Sequence, residues 1–259
     1  MTSAEQPVLE TRELTIRFGG HVAVDAVSCA FSPGTLTAIV GPNGAGKTTY
    51  FNLISGQLKA GSGTVRLFGE DITALAAPLR TRRGLGRAFQ LTNLFPRLTV
   101  LENVRLAVQS RAGLGFDLLS MWSSHVELTA KAAHWLERVG LADKRDLLAA
   151  TLSHSDQRKL EVAILLAIEP VVFMFDEPTA GMSVDEVPVI LDLIAAIRAQ
   201  HDKTVLLVEH KMDVVRSLAD RIVVLHQGQL VADGAPAEVI ASPIVQEAYL
   251  GVAREPAHA

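Results

Sequence analysis

Gly41-Pro42-Asn43-Gly44-Ala45-Gly46-Lys47-Thr48 combines two things that phosphate chemistry needs, glycines that let backbone N–H groups curl around oxygens and a cation among them. The spacing is G-x-x-x-x-G-K-[ST]. It sets Lys47 to neutralise β/γ-phosphate charge and the Thr48 hydroxyl to ligate Mg²⁺, with Thr49 next to it. A second chemical pair stands far along the chain, where the apolar run "VVFMF" ends in Asp176 and Glu177. A buried strand delivers both carboxylates at its C-terminal edge, where open α/β sheets place ligands. Asp176 can then hold the metal through a water, and Glu177 can polarise an attacking water as general base.

These residues work only if strands and helices bring them together. "TLTAIV" is a compact apolar run ending at Gly41, as in a strand buried on both faces. After the glycine loop, Tyr50, Phe51, Leu53 and Ile54 fall at helical spacing and stop near Gly56. Upstream, "LETRELTIRF" and "HVAVDAVSCAF" alternate with period two around Gly19-Gly20, which predicts an antiparallel hairpin.

The middle of the chain reads as a helical insert over roughly 95 to 165. Thr99 and Glu102 are spaced as a capping box, and "VELTAKAAHWLERVG" ends at Gly140 as a helix should. Strand and helix then alternate again through "VVFMF", a helix opened by Ser183 and Glu186, "TVLLV", "KMDVVRSLA" and a closing hairpin "RIVVLHQGQLVADG". The residues "AREPAHA" read as a frayed tail.

Composition excludes several classes. At 259 residues and 49% hydrophobic, the chain can bury a full core, and a formal net charge of −4 gives no field to attract nucleic-acid phosphates. The lone Cys29 forms neither an internal disulfide nor a multi-cysteine metal site, and reads as a small core residue. The N-terminal residues have no charged n-region or apolar h-region, and Glu161, Glu169 and Pro170 interrupt the longest apolar stretches. An intracellular protein without a membrane span is expected.

The phosphate loop, "VVFMFDEPTAG" and the segments between them resemble the nucleotide-binding subunit of ABC transporters, over nearly the whole chain. The resemblance implies an α/β fold of the P-loop NTPase (RecA-like) class: a nucleotide-binding core (1–94 and 166–259) with an N-terminal antiparallel β-subdomain, and an inserted helical subdomain (95–165). It assigns Phe18 in "IRFGG" to stacking on adenine, and Gln90 in "GRAFQ" to Mg²⁺ and the attacking water. His210, after "TVLLVE", becomes a switch histidine on the γ-phosphate, whereas His21, His125, His154 and His226 read as surface or structural residues. "LSHSDQ" matches the signature loop, usually Leu-Ser-Gly-Gly-Gln, in which Ser153 and Ser155 would help cap ATP held by a second cassette in a head-to-tail dimer. Ser155 stands where that pattern has a glycine. A left-handed backbone there would cost a serine roughly 1–2 kcal/mol, whereas a position just before the helix "DQRKLEVAILLA" would make it a favoured N-cap. Both conformations stay open at this point. Ser183 likewise stands where many members carry an aspartate.

"RFGGHVAVDAVS", "GRAFQLTNLFPRLTVLENV", "DEPTAGMS" and "LLVEHKMDVV" look like the ATP-binding subunit of branched-chain amino acid importers. The residues "GLGFDLLSMWSSH" agree with that subfamily's longer insert, or form a solvated loop anchored by Leu118 and Trp122. This implies a Mg-ATP-hydrolysing motor, pairing as a homodimer or with a sister cassette on the cytoplasmic face of the inner membrane. Its partners would be membrane permease subunits and, indirectly, a periplasmic solute-binding protein, with no nucleic acid. A groove by Gln90 would receive a permease helix, and Arg80, Arg82, Arg83 and Arg87 are expected to pair with that partner or to lie in solvent. The alternatives are a cassette for another solute such as urea or amides, a regulatory cassette whose hydrolysis Ser155 weakens, and a soluble ABC protein of translation or DNA repair.

Overall fold

A computed structural model describes residues 6–88, 94–113 and 126–250, without the side chains of 247–250. Gln90, Leu118, Trp122, His125 and the tail "AREPAHA" lie outside the described residues. The chain opens with β1 (Leu9–Phe18) and β2 (His21–Phe31), the antiparallel hairpin its alternation predicts. β3 (Leu36–Val40) leads through the glycine loop into α1 (Lys47–Ser55), which stops at Gly56 with a φ of 79°. β4 (Ser62–Leu67) and β5 (Glu70–Asp71) extend the hairpin into a four-stranded sheet of order β2-β1-β4-β5. A short helix, α2 (Ala77–Arg82), then precedes β6 (Leu85–Ala88).

The helical part follows as α3 (Val100–Arg111), α4 (Val126–Arg138) and α5 (His154–Ile168). Thr99 caps α3 by accepting the Glu102 N–H at 3.1 Å. The Glu102 carboxylate turns to Arg105 instead of back to Thr99, so only half of the expected capping box forms. The remaining elements are β7 (Val172–Asp176), α6 (Val187–Arg198), β8 (Thr204–Val208), α7 (Met212–Leu218), β9 (Arg221–His226) and β10 (Gln229–Gly234). Two helices not foreseen from the sequence, α8 (Pro236–Ala241) and α9 (Pro243–Leu250), come after the closing hairpin. α6 starts four residues later than Ser183, with Pro188 in its first turn, where the missing N–H costs nothing.

The second sheet has the order β10-β9-β3-β8-β7-β6, parallel except for β10. Every residue of β3, β7 and β8 is buried, because both faces of the sheet are covered. Period-two alternation divides them between two cores. Phe173, Phe175, Val205 and Leu207 pack with the helical part, whereas Val172, Met174, Leu206 and Val208 pack with α1 and the antiparallel sheet. The register sets Ile39 and Asp176 on either side of Val208. The segments that leave β3, β7 and β8 therefore emerge side by side at one sheet edge, and they carry the phosphate loop, Glu177 and His210.

Candidate active site

Gly46 caps α1 with a φ of 98°, and a Cβ there would lie 2.4 Å from the Ala23 carbonyl oxygen, so only glycine fits. The first intrahelical bond runs from the Tyr50 N–H to the Gly46 carbonyl. The N–H groups of Lys47, Thr48 and Thr49 are thus without a helical acceptor and face the loop opening, as an anion site requires. Gly44, with a φ of 80°, borders open space. Lys47 Nζ donates to the carbonyls of Gly41 at 2.8 Å and Pro42 at 3.0 Å, which parks the ammonium across the loop. Burial lowers its pKa, against the opposing pull of Glu177 and Asp176.

Asp176 ends β7 and is buried. Its Oδ2 accepts a hydrogen bond from Arg87 at 2.7 Å, while its Oδ1 has no partner. Arg87 also donates to Asn52 Oδ1 at 2.6 Å and Ser55 Oγ at 2.9 Å, and lies over the Phe51 ring. Burial pushes the Asp176 carboxyl above its ordinary range, with Arg87 pulling the other way. An orphaned buried carboxylate oxygen beside a phosphate loop suits a hydrated divalent cation. Among the described residues no cluster of three His, Cys, Asp or Glu side chains could hold a metal by itself.

Glu177 takes a left-handed backbone, with a φ of 50°, while its N–H donates to the Val208 carbonyl at 3.0 Å. That turn aims its side chain at His210, whose Nε2 lies 2.6 Å from Glu177 Oε1. An ionised carboxylate only accepts, so the imidazole nitrogen is the donor. The two residues share a cleft of about 390 Å³ with Lys47, Thr48, Thr49 and residues 43–46 of the loop. Phe18, 49% exposed at the end of β1, forms its wall together with His21. His21 is exposed, as expected of a surface residue, and also lines the cleft. Its period-two neighbourhood predicted a strand, and nothing local marked the strand's first residue as part of a cleft.

The arginines divide differently from the sequence expectation. Arg80 is fully buried and donates to the carbonyls of Leu53, Ile54, Thr73 and Leu75, closing the C-terminal end of α1. Arg87 belongs to Asp176. Neither faces a partner, so only Arg82 and Arg83 keep an outward position.

The signature loop resolves the Ser155 question. Ser153 is the N-cap of α5, accepting the Asp156 N–H at 3.1 Å, and Ser155 is the second residue of the helix, with an ordinary right-handed backbone. The left-handed alternative is thus overturned, and the N-cap falls two residues earlier than position 155. Asp156 stands at the glutamine of the Leu-Ser-Gly-Gly-Gln pattern, and its carboxylate accepts from Lys144 at 2.6 Å and Ser153 Oγ at 2.9 Å. Ser155 Oγ is buried and reaches no hydrogen bond of ordinary length and angle. It still lies close enough to Glu186 to help hold that carboxyl down to about 2, together with Lys159 and Ser183. Neither Ser153 nor Ser155 borders the cleft of this chain.

Comparison with known proteins agrees with this arrangement. The family described as ABC transporter matches residues 24–180, and the one described as branched-chain amino acid ATP-binding cassette transporter matches residues 229–255. The high-affinity branched-chain amino acid transport ATP-binding protein BraF of Pseudomonas aeruginosa is 41% identical, over 96% of this chain and 99% of its own. The corresponding LivG protein of Escherichia coli K12 is 40% identical over 96% and 99% of the two chains. The crystal structure of the ADP conformation of MJ1267, an ATP-binding cassette of an ABC transporter, superposes with a TM-score of 0.79. It is 30% identical and covers 95% of this chain and 99% of its own. A phosphate loop, a buried aspartate and a glutamate–histidine pair at one sheet edge, in a chain so similar to these cassettes along nearly its full length, place it in the ABC transporter family as an ATP-binding, ATP-hydrolysing subunit.

Proposed function

We propose that this chain is the Mg-ATP-driven motor of an importer for branched-chain or chemically related amino acids. The observation that carries the catalytic assignment is the 2.6 Å contact between Glu177 and His210 in the cleft of the phosphate loop. Phe18 would stack on the adenine, the N–H groups that open α1 would hold the phosphates, and Lys47 would leave its loop carbonyls for the β/γ oxygens. Mg²⁺, held by the Thr48 hydroxyl, by Asp176 through a water and by Gln90, would neutralise charge on those oxygens. As His210 turns from Glu177 to the γ-phosphate, the freed carboxylate accepts a proton from the attacking water.

The domain division expected from sequence suits this function, with residues 1–94 and 166–259 as the nucleotide-binding core and 95–165 as the helical part. α5 runs across the boundary and links the signature loop rigidly to the core. Ser153 and Ser155 lie away from this chain's own cleft; the exposed Ser153 would cap the nucleotide of a second cassette, and Ser155, whose hydroxyl is buried, would offer its backbone N–H at the N-terminus of α5. Among the described residues no helix is long and apolar enough to cross a membrane, which fits a peripheral subunit beneath permease subunits at the cytoplasmic face. The half-exposed Phe95, Leu147 and Leu148 around the N-terminus of α3 suit a permease contact.

The test is ATP hydrolysis with the permease subunits in proteoliposomes, using Glu177→Gln as the blank, together with uptake of leucine, isoleucine and valine against urea and short amides. Hydrolysis above the blank, coupled to uptake of the branched amino acids, is expected. Hydrolysis coupled only to urea or amides would overturn the solute assignment. Equal rates from native chain and blank would overturn the catalytic one.

A further inference from the structure

Glu209 is 3% exposed and sits between Val208 at the end of β8 and His210. A buried carboxylate is costly unless its lone pairs are filled, and here donors from two separate loops fill them. Its Oε1 accepts from Thr179 Oγ1 at 2.6 Å, and its Oε2 accepts from the His210 N–H at 3.0 Å and, more weakly, the Lys211 N–H at 3.5 Å. Thr179 belongs to the turn that follows β7, where the Ala180 N–H donates to the Glu177 carbonyl at 3.0 Å. The carboxylate thereby joins the segment that carries Glu177 to the one that carries His210.

We propose that Glu209 is a positioning residue for hydrolysis, a buried clamp from Thr179 to the His210 backbone that sets the Glu177–His210 pair in register before nucleotide arrives. This rests on the reading of Glu177 and His210 as the hydrolytic pair. A charge-assisted bond at each end makes the clamp stiff, and it is the second side-chain link between the two loops beside the Glu177–His210 contact itself. Because Glu209 is not among the residues lining the cleft and its hydrogen bonds run to Thr179, His210 and Lys211, the clamp governs the chemical step and leaves nucleotide binding alone.

Four variants, Thr179→Val, Thr179→Ser, Glu209→Gln and Glu177→Gln, are compared with the native chain for steady-state ATP hydrolysis, for binding of Mg-ADP, and for the histidine side-chain NMR signals of the ¹⁵N-labelled protein. Thr179→Val and Glu209→Gln are expected to lower kcat about tenfold or more with KM and Mg-ADP affinity within about twofold, since only an interaction used in the transition state is lost. Thr179→Ser restores the hydroxyl and should recover kcat to within about threefold. The His210 ring ¹⁵N signals should shift in Thr179→Val relative to the native chain and return in Thr179→Ser. Native kcat in Thr179→Val, a parallel loss of kcat and Mg-ADP affinity, or failure of serine to rescue would each overturn the clamp. If Glu177→Gln itself turns over at the native rate, the hydrolytic pair falls and the clamp falls with it. That result is distinguishable, because Thr179→Val would then lack any catalytic pair to disturb.

Discussion

Arg87 and Asp176 stand on the adjacent parallel strands β6 and β7 and form a 2.7 Å ion pair with both side chains buried. Nη1 of the same guanidinium donates to Asn52 and Ser55 of α1, so one arginine fastens the helix of the phosphate loop to the carboxylate strand, while its buried Nε has no partner. Burial lowers the Arg87 pKa, against the opposing pull of Asp176. Removing one partner strands the other in the interior, at a cost of about 3–5 kcal/mol. Arg87→Ala is therefore expected to lower the urea unfolding midpoint sharply, and Arg87→Ala with Asp176→Asn to recover part of the loss. A double-mutant cycle with no coupling would refute the pair's structural role.

Glu177 occupies a left-handed backbone that glycine adopts freely and a side-chain-bearing residue adopts at a cost of roughly 1–2 kcal/mol. The strain aims its carboxylate at His210, a plain case of stability given up at a functional position. Glu177→Gly is expected to be more stable than Glu177→Ala by about 1 kcal/mol, with hydrolysis abolished in both. Thermal unfolding of the two variants side by side checks this, and equal stabilities would mean that the turn relaxes to accommodate alanine.

The phosphate loop and the Asp176-Glu177 pair were legible because each is a short stretch in which local spacing dictates local geometry. The buried strands "TLTAIV" and "VVFMF" were legible for the same reason. Arg80 and Arg87 were not, since their partners lie far off in the chain: Ile54 26 positions from Arg80, and Asp176 89 positions from Arg87. An arginine-rich run looks the same in sequence whether it is solvated or buried. Glu209 escaped notice beside His210 because its value comes from Thr179, a residue of another strand's exit loop. The backbone of Ser155 turned on where α5 begins, and helix ends are the least certain feature of a sequence reading.

Ser155 lies in the first turn of α5, in a conformation that serine adopts without strain. Ser155→Gly therefore relieves nothing and loses helix propensity worth about 0.5 kcal/mol. The expected outcome is a slightly lower unfolding midpoint and a kcat close to native, because the substitution changes helix stability and not the groups at the cleft. Steady-state hydrolysis of the two forms at matched concentrations is the measurement. A gain of tenfold or more in Ser155→Gly would show that the hydroxymethyl group obstructs the partner's nucleotide.

The N-terminus of α5 is tied by two carboxylates whose folded pKa values are both depressed. Burial pushes Asp156 upward, but hydrogen bonds from Lys144 and Ser153, with the nearby lysine charges, leave it below its ordinary 3.8. Ser155, Lys159 and Ser183 bring Glu186 from 4.5 to about 2. A carboxyl depressed on folding stabilises the folded state at pH values above its unfolded pKa. It loses that contribution as pH falls through the folded value, so for Glu186 the window runs from 4.5 down to about 2. Glu186 faces solvent, and the global effect is accordingly small, but the local tie from Lys159 to the segment entering α6 depends on it. Hydrogen-exchange protection of the first turn of α5, corrected for intrinsic rates, is expected to fall across that window in the native chain. In Glu186→Gln it should start lower and stay flatter. Identical profiles in the two proteins would show that the lysine tie contributes nothing to holding the signature helix in place.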